Sequence, residues 1–199
     1  MEINGFRLIP GALDAGAQTR LVNLVTAAAQ VAPFQTPVTP GGKPMSVLQT
    51  SFGPLGWVTD RGGYRYQPTH PETGATWPKM PDELLEIWAR MAPGAPSPDS
   101  CLINLYRGEA RMGLHRDADE LDFTVPVVSV SLGDTAVFRL GGPERSDPTR
   151  TVRLSSGDIC VLGGEARRFY HGVDRILAGS SRLIPGGGRI NLTMRRAQL

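Results

Sequence analysis

The sequence predicts a mainly β-stranded protein with flanking helices, built as a sandwich or a jelly-roll barrel. Its 199 residues are enough for one domain with a proper core. The 24 glycines and 17 prolines fall in clusters between short apolar runs, which is typical of many turns and short strands. After Pro98 the spacing of the apolar residues changes from helical to period two, which indicates that strands follow an N-terminal part containing helices.

Two helices are predicted in the N-terminal part. Asp14 is the expected N-cap of the first helix, and Pro33 ends it. The second helix begins at Pro81, with Asp82 and Glu83 in its first turn, where their charges complement the helix dipole. The residues at helical spacing are Ala17, Leu21, Leu24, Ala28 and Val31 in the first helix, and Leu84, Ile87, Trp88 and Met91 in the second. We expect both helices to cover one face of a sheet.

Five or more short strands are predicted after Pro98, separated by Gly, Asp, Ser and Pro turns. The runs that predict them are 101–106, 125–132, 135–140, 159–164 and 189–195. A break rich in Pro and Gly near residue 95 divides the chain into N-terminal helices and a lid (about 1–95) and a jelly-roll core (about 96–199). We treat both parts as one domain, 1–199.

Charge and cysteine content limit the partners and the compartment. The formal net charge of +2 and the sequence pI of about 8.7 are compatible with a polyanionic partner, although the simplest interpretation of the basic C-terminal end is a solvated tail. Cys101 and Cys160, each inside an apolar run, fit a reducing compartment, and a disulfide between them stays open. The sequence shows neither a signal peptide pattern nor an apolar run of membrane-spanning length, so we expect a cytoplasmic protein without a membrane segment.

Three residues have the spacing of a metal site. In an extended segment, residues two apart point to the same face, so His115 and Asp117 can reach one metal. His171, just after another strand, can complete a set of two imidazoles and one carboxylate. Such a facial set leaves coordination positions open and is used by non-haem iron(II) oxygenases. From these residues alone, a surface His-Asp pair or a zinc hydrolase site remains an alternative.

The last predicted strand, 189–195, carries a pattern that fits a dicarboxylate. Arg189, Asn191, Thr193 and Arg195 share one face, because side chains alternate along a strand. Guanidinium groups bind carboxylates through paired hydrogen bonds, and an amide can add another. The alternative is an exposed strand whose polar face lies in water.

Asn104 and Tyr106 share a face just before the His-x-Asp motif, and both could hydrogen-bond the same ligand. The alternative is that each is a polar core residue with its hydrogen bonds satisfied inside the protein.

These motifs, in this order, resemble those of the bacterial AlkB proteins, which are iron(II)- and 2-oxoglutarate-dependent dioxygenases. The resemblance covers roughly residues 45 to 197. The motifs that carry it are Leu55-Gly56-Trp57, Gly63-Tyr64-Arg65-Tyr66, Asn104-x-Tyr106, His115-x-Asp117-x-Asp119-Glu120, Gly163-Gly164-Glu165, Phe169-Tyr170-His171-Gly172 and Arg189-x-Asn191-x-x-x-Arg195.

The resemblance implies a fold and a set of ligands. The fold is a double-stranded β-helix, a jelly roll, with an N-terminal nucleotide-recognition lid. His115, Asp117 and His171 would bind Fe(II), and 2-oxoglutarate and O2 would be co-substrates. The residues expected to bind 2-oxoglutarate are Arg189 at the distal carboxylate, Arg195 near the other carboxylate, and Asn104, Tyr106 and Asn191 through hydrogen bonds.

The resemblance also implies a nucleic-acid substrate. Trp57 would stack on a flipped base, although the residue alone fits a core position equally well. Asp119 would approach the exocyclic amine of a cationic methylated base. The further residues expected at the substrate are Tyr64 and Tyr66 at the nucleotide or its phosphates, Arg145 beside the base, and Lys43, Arg61 and Arg65 at phosphates. A solvated basic loop is the alternative for the last three. Arg116, between two expected iron ligands, should point away from the metal.

The activity implied is the oxidative demethylation of 1-methyladenine and 3-methylcytosine in DNA, releasing formaldehyde, succinate and CO2, by a monomeric enzyme. Single-stranded DNA is favoured, with duplex DNA and RNA left open. One alternative is a 2-oxoglutarate oxygenase acting on a protein or a small molecule. Another is a non-catalytic or zinc-bound jelly-roll binding module, which would leave Arg189 and Arg195 without a purpose.

Overall fold

The computed structural model describes residues 1–198, and Leu199, the last residue of the predicted domain, lies outside the described residues. Helix α1 spans Ala15–Val31 and helix α2 spans Asp82–Met91. The strands are β1 Glu2–Ile3, β2 Phe6–Ile9, β3 Leu48–Phe52, β4 Gly56–Asp60, β5 Gly63–Gln67, β6 Ser100–Tyr106, β7 Met112–His115, β8 Val127–Gly133, β9 Thr135–Leu140, β10 Arg150–Leu154, β11 Ile159–Leu162, β12 His171–Leu177 and β13 Arg189–Arg195. A short 3-10 helix, Gly164–Arg168, precedes β12.

The strands form two larger antiparallel sheets and a hairpin. The seven-stranded sheet has the order β1-β2-β11-β8-β13-β6-β3, the four-stranded sheet has the order β10-β9-β12-β7, and β4 and β5 pair with each other. The predicted mainly β architecture with flanking helices is therefore confirmed.

Both predicted helices are present. Asp14 caps α1 by accepting a hydrogen bond from the backbone N–H of Ala17 at 2.8 Å, which satisfies one of the amides that a helix leaves free at its N-terminus. α2 begins after Pro81, as predicted, with its two acids in the first turn. The apolar face predicted for α1 does not extend to its end, because Val31 is 55% exposed.

The large sheet has two differently covered faces. On one face, Leu192 and Met194 of β13 belong to the core that contains Leu21 of α1 and Leu84 of α2. The helices therefore cover this face, as predicted. The other face turns towards the four-stranded sheet, and a second core fills part of the space between them. The alternation of side chains on β13 thus places its apolar residues under the helices and its polar residues between the sheets.

Strands from both sides of the expected boundary near residue 95 contribute to the seven-stranded sheet. β2 pairs with β11 and β3 pairs with β6, so residues from the N-terminal part complete the seven-stranded sheet. β3 was not predicted because its buried residues include Gln49, Thr50 and Ser51, which interrupt the apolar pattern expected of a core strand. The β4–β5 hairpin is the N-terminal piece that stands outside both larger sheets.

Within residues 1–198, no helix combines the length and the apolar character needed to span a membrane.

Candidate active site

A cavity of about 220 Å³ lies between the two sheets. Residues of β6, β8 and β13 line it on one side, and residues of β7, β9 and β12 line it on the other. Every residue that the sequence predicted for the metal and for the co-substrate lines this cavity, as do Trp57, Tyr64 and Asp119 of the predicted substrate residues. One small cavity therefore brings together residues that lie more than 130 positions apart in the sequence.

The three predicted metal ligands form one cluster. His115 ends β7 and His171 begins β12, and the two are paired directly across these strands. The Nε2 atom of His115 lies 4.0 Å from Oδ1 of Asp117, and Nε2 of His171 lies 3.9 Å from Oδ2. A Cβ atom at Gly172 would lie 2.8 Å from the carbonyl oxygen of Met112, so glycine at this position lets β12 approach β7 closely.

Hydrogen bonds orient both imidazoles. Nδ1 of His115 lies 2.9 Å from the carbonyl oxygen of Gly113, and Nδ1 of His171 lies 3.1 Å from that of Phe169. A carbonyl oxygen can only accept, so Nδ1 carries the proton and Nε2 presents its lone pair to the cluster. Burial lowers the pKa of His171 to about 4, and repulsion from His115 contributes to the shift. Near neutral pH His171 is therefore unprotonated and able to bind a metal.

Arg195 holds the carboxylate of the cluster. Burial would raise the pKa of Asp117, but the combined effect of Arg195, His171, His115 and Arg167 is larger, and the pKa lies below its usual range. Nη2 of Arg195 donates to Oδ1 of Asp117 at 2.8 Å. The place near a carboxylate of the co-substrate that the family resemblance implies for Arg195 stays a prediction.

Arg189 is a buried cation that lacks a protein counterion among the described residues. Arg189 is 1% exposed, and its Nη2 atom donates to Oγ of Ser131 at 3.0 Å. Within residues 1–198, Nε and Nη1 of Arg189 are buried without a hydrogen-bond partner. The guanidinium lies over the ring of Tyr106 at 5.3 Å and faces the cavity. A buried guanidinium with unpaired donors is costly, and a carboxylate ligand would satisfy it.

The other polar residues predicted for the co-substrate are tied into a hydrogen-bond network. Asn191 donates to Oγ of Ser129 at 2.7 Å and accepts from the hydroxyl of Thr193 at 2.8 Å. Oδ1 of Asn104 accepts from Gln49 at 2.8 Å. The strand face 189–195 is thus not in water, which excludes the alternative of an exposed strand, because all seven residues of β13 are buried.

Aromatic residues of the β4–β5 hairpin lie at the mouth of the cavity. The rings of Trp57 and Tyr64 are stacked, with centroids 5.5 Å apart and an interplanar angle of 18°. Nε1 of Trp57 donates to Oδ2 of Asp119 at 2.7 Å. Trp57 is therefore not a core residue. It joins an exposed aromatic ring, Tyr64, to an exposed carboxylate beside the metal cluster.

Two of the predicted substrate residues lie outside the cavity lining. The hydroxyl of Tyr66 donates to Oε1 of Glu120. Arg145 is exposed, and its guanidinium lies 5.9 Å from the ring centroid of Tyr170. Arg116 lies over the same ring at 5.5 Å and does line the cavity, so its guanidinium stacks on an aromatic ring at the rim.

The three candidate phosphate contacts, Lys43, Arg61 and Arg65, are all exposed. Arg65 donates to Oδ2 of Asp60 at 2.7 Å and to Gln67 at 2.9 Å, so its guanidinium is already engaged on the hairpin.

Sequence reasoning missed several residues of the site. Gln49 and Ser131 contact predicted co-substrate residues, and nothing in their local sequence distinguishes them from ordinary strand residues. Glu120 belongs to the motif His115-x-Asp117-x-Asp119-Glu120, but the motif alone does not indicate that this acid is buried beside the cluster. Arg167 was missed altogether, because an arginine in a short polar stretch is usually exposed.

Comparison with known proteins agrees with this geometry. The model of the 2OG-Fe(II) oxygenase superfamily matches residues 5–195, so the chain belongs to that superfamily. The fold also resembles that of a prolyl-4-hydroxylase from Pseudomonas putida, with a TM-score of 0.58, 13% identity, and coverage of 97% of this chain and 93% of the other.

Closer relatives define the family within it. The chain is 59% identical to an alpha-ketoglutarate-dependent dioxygenase AlkB homolog of Caulobacter vibrioides over 98% of this chain and 89% of the relative. It is 44% identical to AlkB of Escherichia coli, over 91% and 85% of the two chains. The structure of OsALKBH1 matches with a TM-score of 0.84 and 29% identity, over 98% of both chains. The chain belongs to the AlkB family of these dioxygenases.

Fe(II) is the metal of this family, and 2-oxoglutarate and O2 are its co-substrates. The site fits them on two independent observations. Two imidazole Nε2 atoms and a carboxylate converge within 4.8 Å of one another, a donor set suited to iron(II) with open positions. The unpaired donors of Arg189 in the same cavity suit a dicarboxylate.

Proposed function

We propose that this protein is a DNA repair enzyme that oxidatively demethylates 1-methyladenine and 3-methylcytosine, with 2-oxoglutarate converted to succinate and CO2 and the methyl group released as formaldehyde. One observation carries the proposal. A single cavity joins the His-Asp-His cluster, the unpaired guanidinium of Arg189 and, at its mouth, the Trp57–Asp119 pair. The names of relatives also support it, since an Arabidopsis thaliana protein 32% identical to this chain is a DNA N(6)-methyladenine demethylase.

The proposed roles in the cavity follow from the contacts described above. His115, Asp117 and His171 bind iron(II), each through an atom that faces the others. When bound, iron(II) and 2-oxoglutarate supply the oxidation by O2 that hydroxylates the methyl group. The residues proposed for 2-oxoglutarate are Arg189 at its distal carboxylate, Arg195 near the other carboxylate, and Asn104, Tyr106 and Asn191 beside the chain.

At the mouth of the cavity, Trp57 and Tyr64 present stacked rings on which an extruded base can lie. Asp119 places a carboxylate beside them, which favours a base that is cationic because it is methylated on a ring nitrogen. The hydroxymethyl group left by oxidation loses its hydroxyl proton to water and leaves as formaldehyde, and the electron pair of the broken C–N bond stays on the ring nitrogen, so the base returns neutral. Asp119 therefore binds the substrate better than the product.

Arg145 and Tyr66 contribute at the edges of this site. Arg145 lies outside the cavity on the ring of Tyr170, so we assign it to a phosphate of the strand rather than to the base. Tyr66 supports the hairpin through its bond to Glu120. Arg116 stacks on the same ring as Arg145 and faces the cavity, which adds a second cation at this rim.

We further propose that the enzyme prefers single-stranded DNA, acts as a monomer and works in the cytoplasm. A base in a single strand is already unpaired, so its extrusion onto Trp57 costs less than from a duplex. The two buried, free thiols, Cys101 and Cys160, suit a reducing compartment.

The experiment is turnover of a single-stranded oligonucleotide with one 1-methyladenine or 3-methylcytosine, in the presence of iron(II), 2-oxoglutarate and ascorbate. Both the demethylated base and succinate are followed by mass spectrometry, with duplex DNA and RNA of the same sequence for comparison. We expect demethylation coupled to succinate, and none of either from His171→Ala, because two remaining ligands hold iron poorly. Succinate without demethylation would move the substrate to a protein or a small molecule, and absence of succinate would refute the proposed chemistry.

A further inference from the structure

Arg167 is a buried arginine next to the metal cluster that the proposed chemistry does not use. Its side chain is 2% exposed, and it belongs to the 3-10 helix Gly164–Arg168. Its guanidinium makes three separate bonds. Nε donates to the carbonyl oxygen of Val125 at 3.0 Å, Nη1 to that of Asp117 at 2.8 Å, and Nη2 to Oε2 of Glu120 at 2.8 Å.

All three acceptors belong to one segment, residues 116–126, which has no regular helix or strand. This segment carries two carboxylates of the site, Asp117 in the metal cluster and Asp119 at the cavity mouth. It lacks the ladder of backbone hydrogen bonds that fixes residues in a strand, so its conformation depends on side-chain contacts. Arg167 supplies such contacts at its beginning, middle and end.

Glu120 connects Arg167 to the rest of the site. Its side chain is 1% exposed, and its two oxygens have different partners. Oε2 binds Arg167, whereas Oε1 accepts from the hydroxyl of Tyr66 and lies 3.5 Å from Nε of Arg195. Arg195 in turn donates to Oδ1 of Asp117. Asp117 is thus held at its carboxylate by Arg195 and at its carbonyl by Arg167, and Glu120 joins the two guanidinium groups.

We propose that Arg167, with Glu120 as its counterion, is a positioning residue that sets the metal ligand Asp117 in its binding orientation. The inference rests on the proposed role of Asp117 as an iron ligand. Arg167 does not line the cavity. It acts through the segment that presents Asp117, as groups behind a metal ligand commonly do. Arginine suits the position because its planar fork can reach three acceptors at once, which the single ammonium of lysine cannot do.

The test measures metal affinity directly. Mn(II) binding to the full-length protein is followed by the electron paramagnetic resonance signal of free Mn(II). Arg167→Met should raise the apparent Kd for Mn(II) by about 10- to 100-fold, the usual effect of removing a group that orients a metal ligand. The matched control is Arg168→Met. Arg168 is the exposed neighbour on the same 3-10 helix, its guanidinium also lies 5.2 Å from the ring centroid of Phe123, and its loss should leave the Kd within about twofold.

Two further variants separate positioning from simple charge compensation and from unfolding. Arg167→Lys keeps the positive charge beside Glu120. We expect this variant to have a melting temperature close to that of the natural protein, above that of Arg167→Met, but a Kd for Mn(II) that is still raised several-fold. If Arg167→Met does not fold, the pair Arg167→Met with Glu120→Gln removes both charges, leaves no stranded carboxylate and should still show the weakened binding.

The inference is overturned if a folded Arg167→Met protein, or the double variant, binds Mn(II) as tightly as the natural protein. It is also overturned if Arg167→Lys binds normally, because charge alone would then explain the residue. Failure of the proposed metal site looks different. In that case the natural protein itself would not bind Mn(II), or His171→Ala would bind it equally well.

Discussion

Arg189 carries a positive charge in a place where an unpaired charge is costly. Burial lowers the pKa of Arg189, which reflects that cost. Nη2 of Arg189 donates to Ser131, and within residues 1–198 Nε and Nη1 are buried without a hydrogen-bond partner. A protein that needed this arginine only for its fold would have paired it with an acid. The unpaired donors are better explained as a receptor whose counterion arrives with 2-oxoglutarate.

Arg189→Met should therefore weaken the binding of 2-oxoglutarate without weakening the fold. A hydrogen bond to a charged group is worth about 1.5–3 kcal/mol, so the KM for 2-oxoglutarate should rise about 10- to 150-fold. The melting temperature of the free protein should not fall, because the substitution removes a buried charge that lacks a counterion. Steady-state kinetics and calorimetry measure the two effects, with the exposed Arg182→Met as control. An unchanged KM would remove Arg189 from the co-substrate site.

At the scale of elements, the β4–β5 hairpin is the part of the chain that meets the substrate. It pairs with neither of the larger sheets, and it presents Trp57 and Tyr64 at the cavity mouth. Its links to the rest of the site are the bonds from Trp57 to Asp119 and from Tyr66 to Glu120. The hairpin can thus recognise a base while the sheets hold the metal and the co-substrate.

Trp57→Ala should impair the binding of the oligonucleotide far more than the chemical step. Base stacking on an aromatic side chain is worth about 1–3 kcal/mol, so the KM for a methylated oligonucleotide should rise about 5- to 150-fold with a small change in kcat. Trp57→Phe keeps a ring but loses the donor to Asp119. Its KM for the oligonucleotide should lie between that of the natural protein and that of Trp57→Ala. An affinity for oligonucleotide that does not change in Trp57→Ala would contradict the stacking role.

The N-terminus of α1 offers a test of stability at the same scale. Asp14→Ala removes the side-chain cap at Ala17 and should lower the free energy of unfolding by about 0.5–2 kcal/mol, measured by urea denaturation. Asp82→Ala is a matched control in the first turn of α2, since that carboxylate makes a 3.6 Å contact with exposed Lys79 and no cap. Equal losses in both variants would mean that the cap bond contributes little.

At the scale of the whole molecule, two hydrophobic cores pack against the sheets, and each core contains one cysteine. Cys101 lies in the core beneath the helices, and Cys160 lies in the core between the sheets. Burial raises the pKa of each thiol to about 12, so both stay protonated at neutral and mildly alkaline pH.

If the two cores unfold together, both thiols should be protected to the same degree. A thiol reagent at pH 8 should label Cys101 and Cys160 at equal, slow rates in the native protein and rapidly in urea, as read by mass spectrometry of peptides. Fast labelling of one cysteine alone would show that its core opens separately.

The sequence predicted most reliably what depends on alternation and spacing. β13 alternates without interruption, so the assignment of Arg189 and Asn191 to one face needed only the geometry of a strand. The cluster of His115, Asp117 and His171 was predicted from residue type and order, and its convergence in space required the family resemblance. Both helices followed from their apolar spacing, together with the Asp14 cap in α1 and with Pro81 and the acidic first turn in α2.

Pairings between strands that lie far apart in the chain could not be predicted from the sequence. Strand β2 joins the large sheet through a partner about 150 positions away, and β3 through a partner about 50 positions away. Short strands carry little local signal of such pairings. The same reason explains why the bond from Arg195 to Asp117 was not predicted, and why Arg167 was missed. A buried ion network depends on which loops contact each other in the folded protein, and no local sequence pattern predicts those contacts.

A crystal structure of the protein with Mn(II) and 2-oxoglutarate would test the proposed site most directly. We expect one Mn(II), identified by anomalous scattering, bound by Nε2 of His115, Nε2 of His171 and the carboxylate of Asp117. We also expect 2-oxoglutarate to chelate this ion while its distal carboxylate lies against Arg189. A metal bound elsewhere, or a 2-oxoglutarate that leaves Arg189 without a carboxylate, would contradict the proposed site.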